Sequence, residues 1–305
     1  MNFTLKQLRV FCALYELRSF TAAARASFLT QSAVSKLCSD LETEVGQPLF
    51  ERSTRSVTPC DGAADFYAYA QEILGTVRAA ERSLCGLRTL ERGNVGVATS
   101  PLMMVGLMGK IIADYHRAHP CVTLDLFELS TDDTIEHVRN GRVDFGIVSL
   151  EIPADELTTR VIYRDTMYAV CACDHPLGHR DAVSWSDVAE HEHIMLRNVY
   201  SVRRSLDRVA AELNLQFRYH IEAGMLTSAL QFVGTGLGIT VIPGYACTLA
   251  RQLGLRVLPI DGERNLDHQL WLILRRSTRL TLAATEFLRL TEAYLQERQD
   301  RENTL

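Results

Sequence analysis

Apolar positions in the first sixty residues recur at helical spacing. Leu5, Leu8, Phe11, Cys12, Leu14 and Tyr15 mark one face of a first helix that ends near Arg18. Ser19 stands where an N-cap belongs, followed by Ala22, Ala23 and Ala24, so a short alanine-rich helix is expected over roughly 21–27. Thr30 is the next cap, opening a third helix over 31–45 with Ala33, Val34, Leu37 and Leu41 turned inward. Gly46 ends that helix and Pro48 prevents its continuation. Residues 49–52 and 56–58 then read as two short strands around Ser53, Thr54 and Arg55.

The three-residue break Ser27-Phe28-Leu29 between the second and third helices has helix-turn-helix spacing. In that geometry the start of the third helix enters the major groove of DNA. Thr30, Gln31, Ser32, Ser35 and Lys36 lie there, with hydroxyl, amide and ammonium groups that suit base edges and phosphates. The hairpin reads as a wing, with Arg52 and Arg55 suited to backbone or minor-groove contact. Spacing alone also fits a small packing module with no nucleic-acid role.

From 61 to 91 the chain has no proline, and Phe66, Ala70, Ile73, Leu74, Val77, Leu84 and Leu87 form a helical stripe. A long helix with one apolar face needs a surface to cover it: the body of its own chain, or the same helix of a second chain.

Beyond 92 the pattern changes to short apolar strands alternating with amphipathic helices, which predicts parallel α/β packing. Strands are expected near 93–98, 122–128, 143–148, 168–172, 193–196, 220–223, 236–243 and 270–274. Helices are expected near 102–118, 131–140, 201–213, 225–235 and 281–296. The late strand returns toward the first unit. This gives a first lobe of about 92–162 plus 268–305 and a second of about 163–267, with crossings near 161–166 and 264–269. Folds of this kind bind ligands in the crevice outside the strand ends. Ser100 and Thr131 follow the first two strands at helix starts, and Asn198, Tyr200 and Ser201 hold the matching place in the other lobe. Helix N-termini suit a carboxylate or phosphate, so an anion is a candidate ligand. The same residues also read as ordinary caps. Met103, Val148 and Met225 are candidate apolar walls.

Composition narrows the picture. With 305 residues, 47% hydrophobic and 23% charged, two or three soluble domains are expected. Residues 1–60 hold seven Lys/Arg against five Asp/Glu, a net +2, whereas the whole chain carries −5. A mildly basic head on an acidic body fits a head that meets phosphate. No apolar run approaches the roughly 20 residues of a membrane span, and no leader pattern opens the sequence, so a cytoplasmic setting is expected. The eight cysteines show no CxxC and no zinc-finger spacing, so neither metal nor cofactor is expected. The run Gly234–Gly238 precedes a strand, which is the wrong context for a dinucleotide loop. His191-Glu192-His193 reads as a surface loop, and Cys171 and Cys173 as one face of a strand.

The residues Ser19-Phe20-Thr21-Ala22-Ala23-Ala24, Leu29-Thr30-Gln31-Ser32-Ala33-Val34-Ser35 and Gly46-Gln47-Pro48-Leu49-Phe50-Glu51-Arg52, with Thr58-Pro59 and Gly62, resemble the LysR-type transcriptional regulators. The likeness extends less sharply over the whole chain. Ser32 stands where that family often has proline, and Cys38 where Ile or Val is common. The resemblance implies an α/β chain with an N-terminal winged helix-turn-helix at 1–60 and a linker and dimerisation helix at 61–91. The remainder, 92–305, becomes a two-lobed effector domain like a periplasmic binding protein. It also implies a homodimer or homotetramer on double-stranded promoter DNA, regulated by a small-molecule effector, without catalysis. It supports Ser100 and Thr131 best as effector contacts, and Ser201 next. A ligand-storage protein whose head serves only assembly, or an enzyme on the same α/β body, are the alternatives from other classes.

Overall fold

A computed structural model of the chain describes residues 2–52, 57–86, 93–150, 156–261, 268–276 and 279–302, with the side chains of Arg52, Ala79, 81–86 and Glu302 excepted. Arg55, Leu87 and most of the expected crossing at 264–269 lie outside the described residues. The chain divides into two compact units, Met1–Glu81 with Asn140–Arg142, and Arg82–Arg139 with Val143–Leu305.

The N-terminal unit opens with α1 (Leu5–Leu17), α2 (Phe20–Ala26) and α3 (Gln31–Val45). Each begins at the cap its sequence offers. Thr4 and Gln7 form a reciprocal capping box, Ser19 accepts the N–H of Ala22, and Thr30 accepts the N–H of Ala33 at 3.2 Å. Gly46, at φ +80°, turns the chain out of α3 in the left-handed region. The carboxylate of Glu42 then accepts the N–H groups of Leu49 and Phe50, fixing the start of β1 (Phe50–Arg52). That strand pairs antiparallel with β2 (Val57–Pro59), Glu51 facing Thr58. Leu8, Phe11, Leu14, Val34, Leu41 and Leu49 are fully buried between these elements.

The long helix α4 (Ala63–Gly86) joins that same core. Ala63, Ala70 and Leu74 are buried in it, the Phe66 ring meets Phe11 edge-on at 5.0 Å, and Tyr67 stacks on Tyr15 at 4.3 Å. Three members of the expected stripe (Phe66, Ala70 and Leu74) are therefore covered by the chain's own head. Ile73 remains 38% exposed and Tyr69 66%.

The second unit starts with β3 (Gly93–Thr99), followed by α5 (Pro101–Met103), a π-helical turn at Met104–Met108, and α6 (Gly109–Ala118). Next come β4 (Val122–Glu128), α7 (Thr131–Arg139), β5 (Phe145–Ser149) and β6 (Leu157–Asp165). The chain then builds a second layer from β7 (Met167–Cys171), β8 (Val183–Ser184), α8 (Trp185–Ala189), β9 (His193–Leu196), α9 (Ser201–Leu213), β10 (Tyr219–Ala223), α10 (Leu226–Gly234), β11 (Thr240–Pro243), α11 (Cys247–Gln252) and β12 (Arg256–Asp261). It returns through β13 (His268–Arg275) and closes with α12 (Leu282–Glu302).

The first sheet has the order β4-β3-β5-β13-β6. β3 runs parallel to both β4 and β5, but β13 lies antiparallel between β5 and β6. The expected parallel packing holds for β3, β4 and β5 but not for β13: the returning strand enters the sheet against its neighbours. The second sheet, β11-β7-β12-β8, is mixed as well, and β9 pairs parallel with β10. The strands β6, β8 and β12 lie where the sequence pattern predicts none. Strand β6 reaches Asp165, so the passage between sheets falls at Thr166 and the first lobe extends past 162.

Candidate nucleic-acid interface and ligand cleft

The exposed surface of α3 follows from its packing. Val34, Cys38 and Leu41 point into the core, which leaves Gln31, Ser32 and Lys36 exposed and Ser35 half-buried on the other side. Thr30 is exposed too. Its hydroxyl caps the helix and lies 3.1 Å from the Ser32 hydroxyl, so both oxygens sit at the helix mouth. Arg52 belongs to β1, but its side chain is outside the described residues, and Arg55 is wholly outside them. One feature of this surface has no counterpart among the expected contacts. Phe28, in the turn before α3, is 95% exposed and sits at φ +54°. The turn needs that conformation, because the Leu29 N–H reaches back to Ala24 and the Phe28 N–H to Arg25. Most side chains disfavour it.

In the second unit Ser100, Tyr200, Ser201 and Met225 meet on one cleft. They come from the end of β3, the corner after β9, and the start of α10, on the two sides of the passage between sheets. Ser100 also caps α5, accepting the Met103 N–H at 3.3 Å. The Tyr200 hydroxyl donates to the Gly224 carbonyl at 2.6 Å, locking two corners of the wall together. Val105, in the π-helical turn, and Met225 are 55% and 51% exposed and both line the cleft. Apolar groups left open in a concave site mark a binding surface.

Four expected contacts lie elsewhere. Met103 is buried, its sulfur accepting the Thr99 hydroxyl at 3.1 Å, and Val148 packs in a separate small core with Val138 and Ile273. Thr131 is the first residue of α7, while Ser130 supplies the hydroxyl that accepts the Asp133 N–H. The Asn198 carbonyl accepts from Arg204, and neither Thr131 nor Asn198 is on the cleft wall. Glu128, Thr227, Tyr245 and Leu249 are on it but did not stand out in the sequence. Tyr245 had a signal: it follows Pro243-Gly244 directly after a strand end, the position where such folds place ligand contacts.

The discounted motifs also find places. His193 is not in a surface loop but buried in β9, its Nε2–H donating to the Val188 carbonyl at 3.0 Å. Burial lowers its pKa to about 4. β7 ends at Cys171, and Cys173 lies beyond it, exposed, with its thiol 3.0 Å from the Gly254 carbonyl. Among the described residues no three His, Cys, Asp or Glu side chains gather as a metal site, and no helix is long and apolar enough to cross a membrane.

Comparison with known proteins agrees with this arrangement. Residues 5–63 match the family model described as bacterial regulatory helix-turn-helix protein, lysR family, and residues 88–296 match the LysR substrate binding domain. An uncharacterized HTH-type transcriptional regulator, YfeR of Shigella flexneri, is 28% identical across 93% of this chain and 92% of its own. Full-length OxyR from Pseudomonas aeruginosa, an engineered variant, superposes with a TM-score of 0.73 at 18% identity, covering 97% of this chain and 95% of that one. The effector binding domain of QuiR in complex with shikimate superposes over 68% of this chain and 98% of that one, with a TM-score of 0.59 and 20% identity. Together with the matched domains and the exposed start of α3, these likenesses assign the chain to the LysR family of DNA-binding transcriptional regulators with an effector-binding domain.

Proposed function

We propose that residues 1–60 read operator DNA through the start of α3, that 61–91 pair two chains, and that 92–305 sense a small effector. Gln31 and Ser35 read base edges, Thr30 and Ser32 shape the helix mouth, and Lys36 meets phosphate. Arg52 and Arg55 contact the backbone or minor groove from the wing. In the body, Ser100, Tyr200 and Ser201 hold the effector, with Met225 as an apolar wall. Met103, Thr131 and Asn198 do not line the cleft and are, on this reading, not contacts.

The observation that carries this reading is the convergence of Ser100, Tyr200, Ser201 and Met225, from three separated stretches of chain, on one cleft. A ligand held there touches elements of both sheets and so favours one angle between them. It shifts DNA binding to the extent that it binds the two angles unequally. Tyr69 and Ile73, on the uncovered face of α4, suit pairing in a homodimer or a homotetramer, and the setting is the cytoplasm. The experiment is a footprint of the full chain on operator DNA selected from random sequence, with and without small metabolites. An effector that binds the cleft should change the footprint. Occupancy of the cleft without any change in footprint or transcription would defeat the switch.

A further inference from the structure

A second cavity of about 140 Å³ opens beside the cleft, and Ser201 lines both. The two chambers differ in chemistry. The first is walled by Leu102, Val105, Leu196, Met225 and Leu226, with Glu128 as its carboxylate. Among the residues lining the second are Ser149 at the end of β5, Ser201, Arg204, Ser205 and Arg208 along one face of α9, and His268 at the start of β13. The α9 residues are spaced three and four apart, which puts them on one side of the helix. Tyr200, the residue before α9, provides no side-chain cap, and Ser201, the first residue of this 13-residue helix, lines the chamber.

His268 adds an independent sign that the chamber takes a polar ligand. It is 3% exposed, it lines the chamber, and neither of its ring nitrogens has a hydrogen-bond partner among the described residues. Buried polar atoms are seldom left in that state. Burial and the charge of Arg208 lower its pKa to about 4, so it is a neutral imidazole with one N–H to donate. The guanidinium groups, the hydroxyls and that N–H form a donor-rich pocket. Glu128 lies in the apolar chamber and repels an anion there.

We propose that the effector is an organic acid that spans both chambers, its carboxylate or phosphate held by Arg208, Arg204, Ser201 and His268 and its apolar body lying against Val105 and Met225. This rests on the reading of the cleft as the effector site and names the ligand class and its orientation. It also assigns contact roles to three residues, Arg204, Arg208 and His268, that did not stand out in the sequence.

The test uses the full-length protein and a panel of small aromatic and aliphatic carboxylic acids, each paired with its neutral amide. Inorganic phosphate serves as the bare head group. Affinity is read by calorimetry at millimolar ligand. At least one acid should bind about tenfold or more tighter than its amide, as expected for charge-assisted bonds from arginine. Arg208→Gln should remove that preference, and His268→Phe should weaken the acid several-fold, while binding of the amide is unchanged in both. Arg204 also bonds the carbonyls of Asn198 and Val199, so Arg208 and His268 are the cleaner probes. Amides that bind as well as their acids, or acids unaffected by both variants, would overturn the head-group assignment and leave the cleft reading intact. Absence of binding by every acid and amide would overturn both.

Discussion

Asp165 holds Tyr245. The carboxylate at the end of β6 accepts the backbone N–H of Tyr245 at 2.8 Å through Oδ2 and that of Thr166 at 2.7 Å through Oδ1. The Thr166 carbonyl in turn accepts the Gly244 N–H at 2.9 Å, and Arg298 donates to the Gly244 carbonyl at 3.1 Å. The passage between the two sheets is therefore clamped to a residue that lines the cleft and whose ring centroid lies 6.0 Å from that of His268. The cleft and the passage between the sheets share one tyrosine.

Asp165→Ala should leave the buried Tyr245 N–H without its acceptor and cost the body about 1.5–3 kcal/mol, the usual range for a bond to a charged group. Urea unfolding of the effector body checks the loss as a lower midpoint, and the same variant should bind cleft ligands more weakly. An unchanged midpoint would show that the clamp carries no weight.

Phe28 occupies a left-handed backbone position with almost none of its ring covered. Phe28→Gly should stabilise the head by about 0.5–1 kcal/mol, because strain is relieved and little packing is lost. Thermal unfolding of the full chain, followed by a probe in the head, reads the gain. Operator affinity of the same variant shows whether the ring touches DNA, since a contact would make the more stable protein the weaker binder.

The pH dependence of stability follows from His193. Its folded pKa of about 4 lies below the ordinary 6.5, so the unfolded chain binds the proton more readily. Stability is then full above about pH 6.5 and falls as pH drops toward 4, by about 3 kcal/mol at most for this residue. His268, also held near 4 by burial, contributes with the same sign. His193→Phe should flatten part of the slope in chemical unfolding between pH 7 and 4. A slope equal to that of the unsubstituted chain would remove His193 from the account.

Thiol chemistry separates the cysteines. Burial pushes Cys171 up to about 11, and burial with the nearby Glu16 carboxylate pushes Cys12 up to about 12, so neither is a thiolate at neutral pH. Brief alkylation of the native protein, read by mass spectrometry, should label Cys121 and Cys173 and spare Cys12, Cys38, Cys171 and Cys247 until the chain is unfolded. Rapid labelling of Cys171 would contradict its burial in β7.

Local signals made the head legible. Thr30 and Gly46 bracket α3 at the residues where the helix starts and stops, and the apolar spacing of α1 and α3 gives the core directly. The body was legible only in part. Strand β6 carries Arg160, Arg164 and Asp165 and sits at the edge of its sheet, so its polar face mimics a connecting segment. Strand β12 contains Pro259, which argues against a strand, yet β8 joins only from Ile260 onward and leaves that proline beside an unpaired edge. The insertion of β13 between β5 and β6 depends on residues more than a hundred positions apart. For the cleft, Ser201 and Tyr200 stood out as a strand-to-helix corner, whereas Arg208 and His268 meet only through the tertiary fold. Met103 and Val148, apolar residues beside the predicted crevice, are buried and do not line the cleft.

The measurement closest to the central claim is operator affinity as a function of salt for the full-length protein and for Gln31→Ala and Lys36→Ala. Both residues are exposed on α3, so the variants should fold as the original does. Gln31→Ala should cost about 1–3 kcal/mol of binding to the selected operator and little on unrelated DNA. Lys36→Ala should weaken binding to both and reduce the salt slope by about 1. Operator binding unchanged by either substitution, in protein of unchanged stability, would contradict the assignment of α3 as the reading helix.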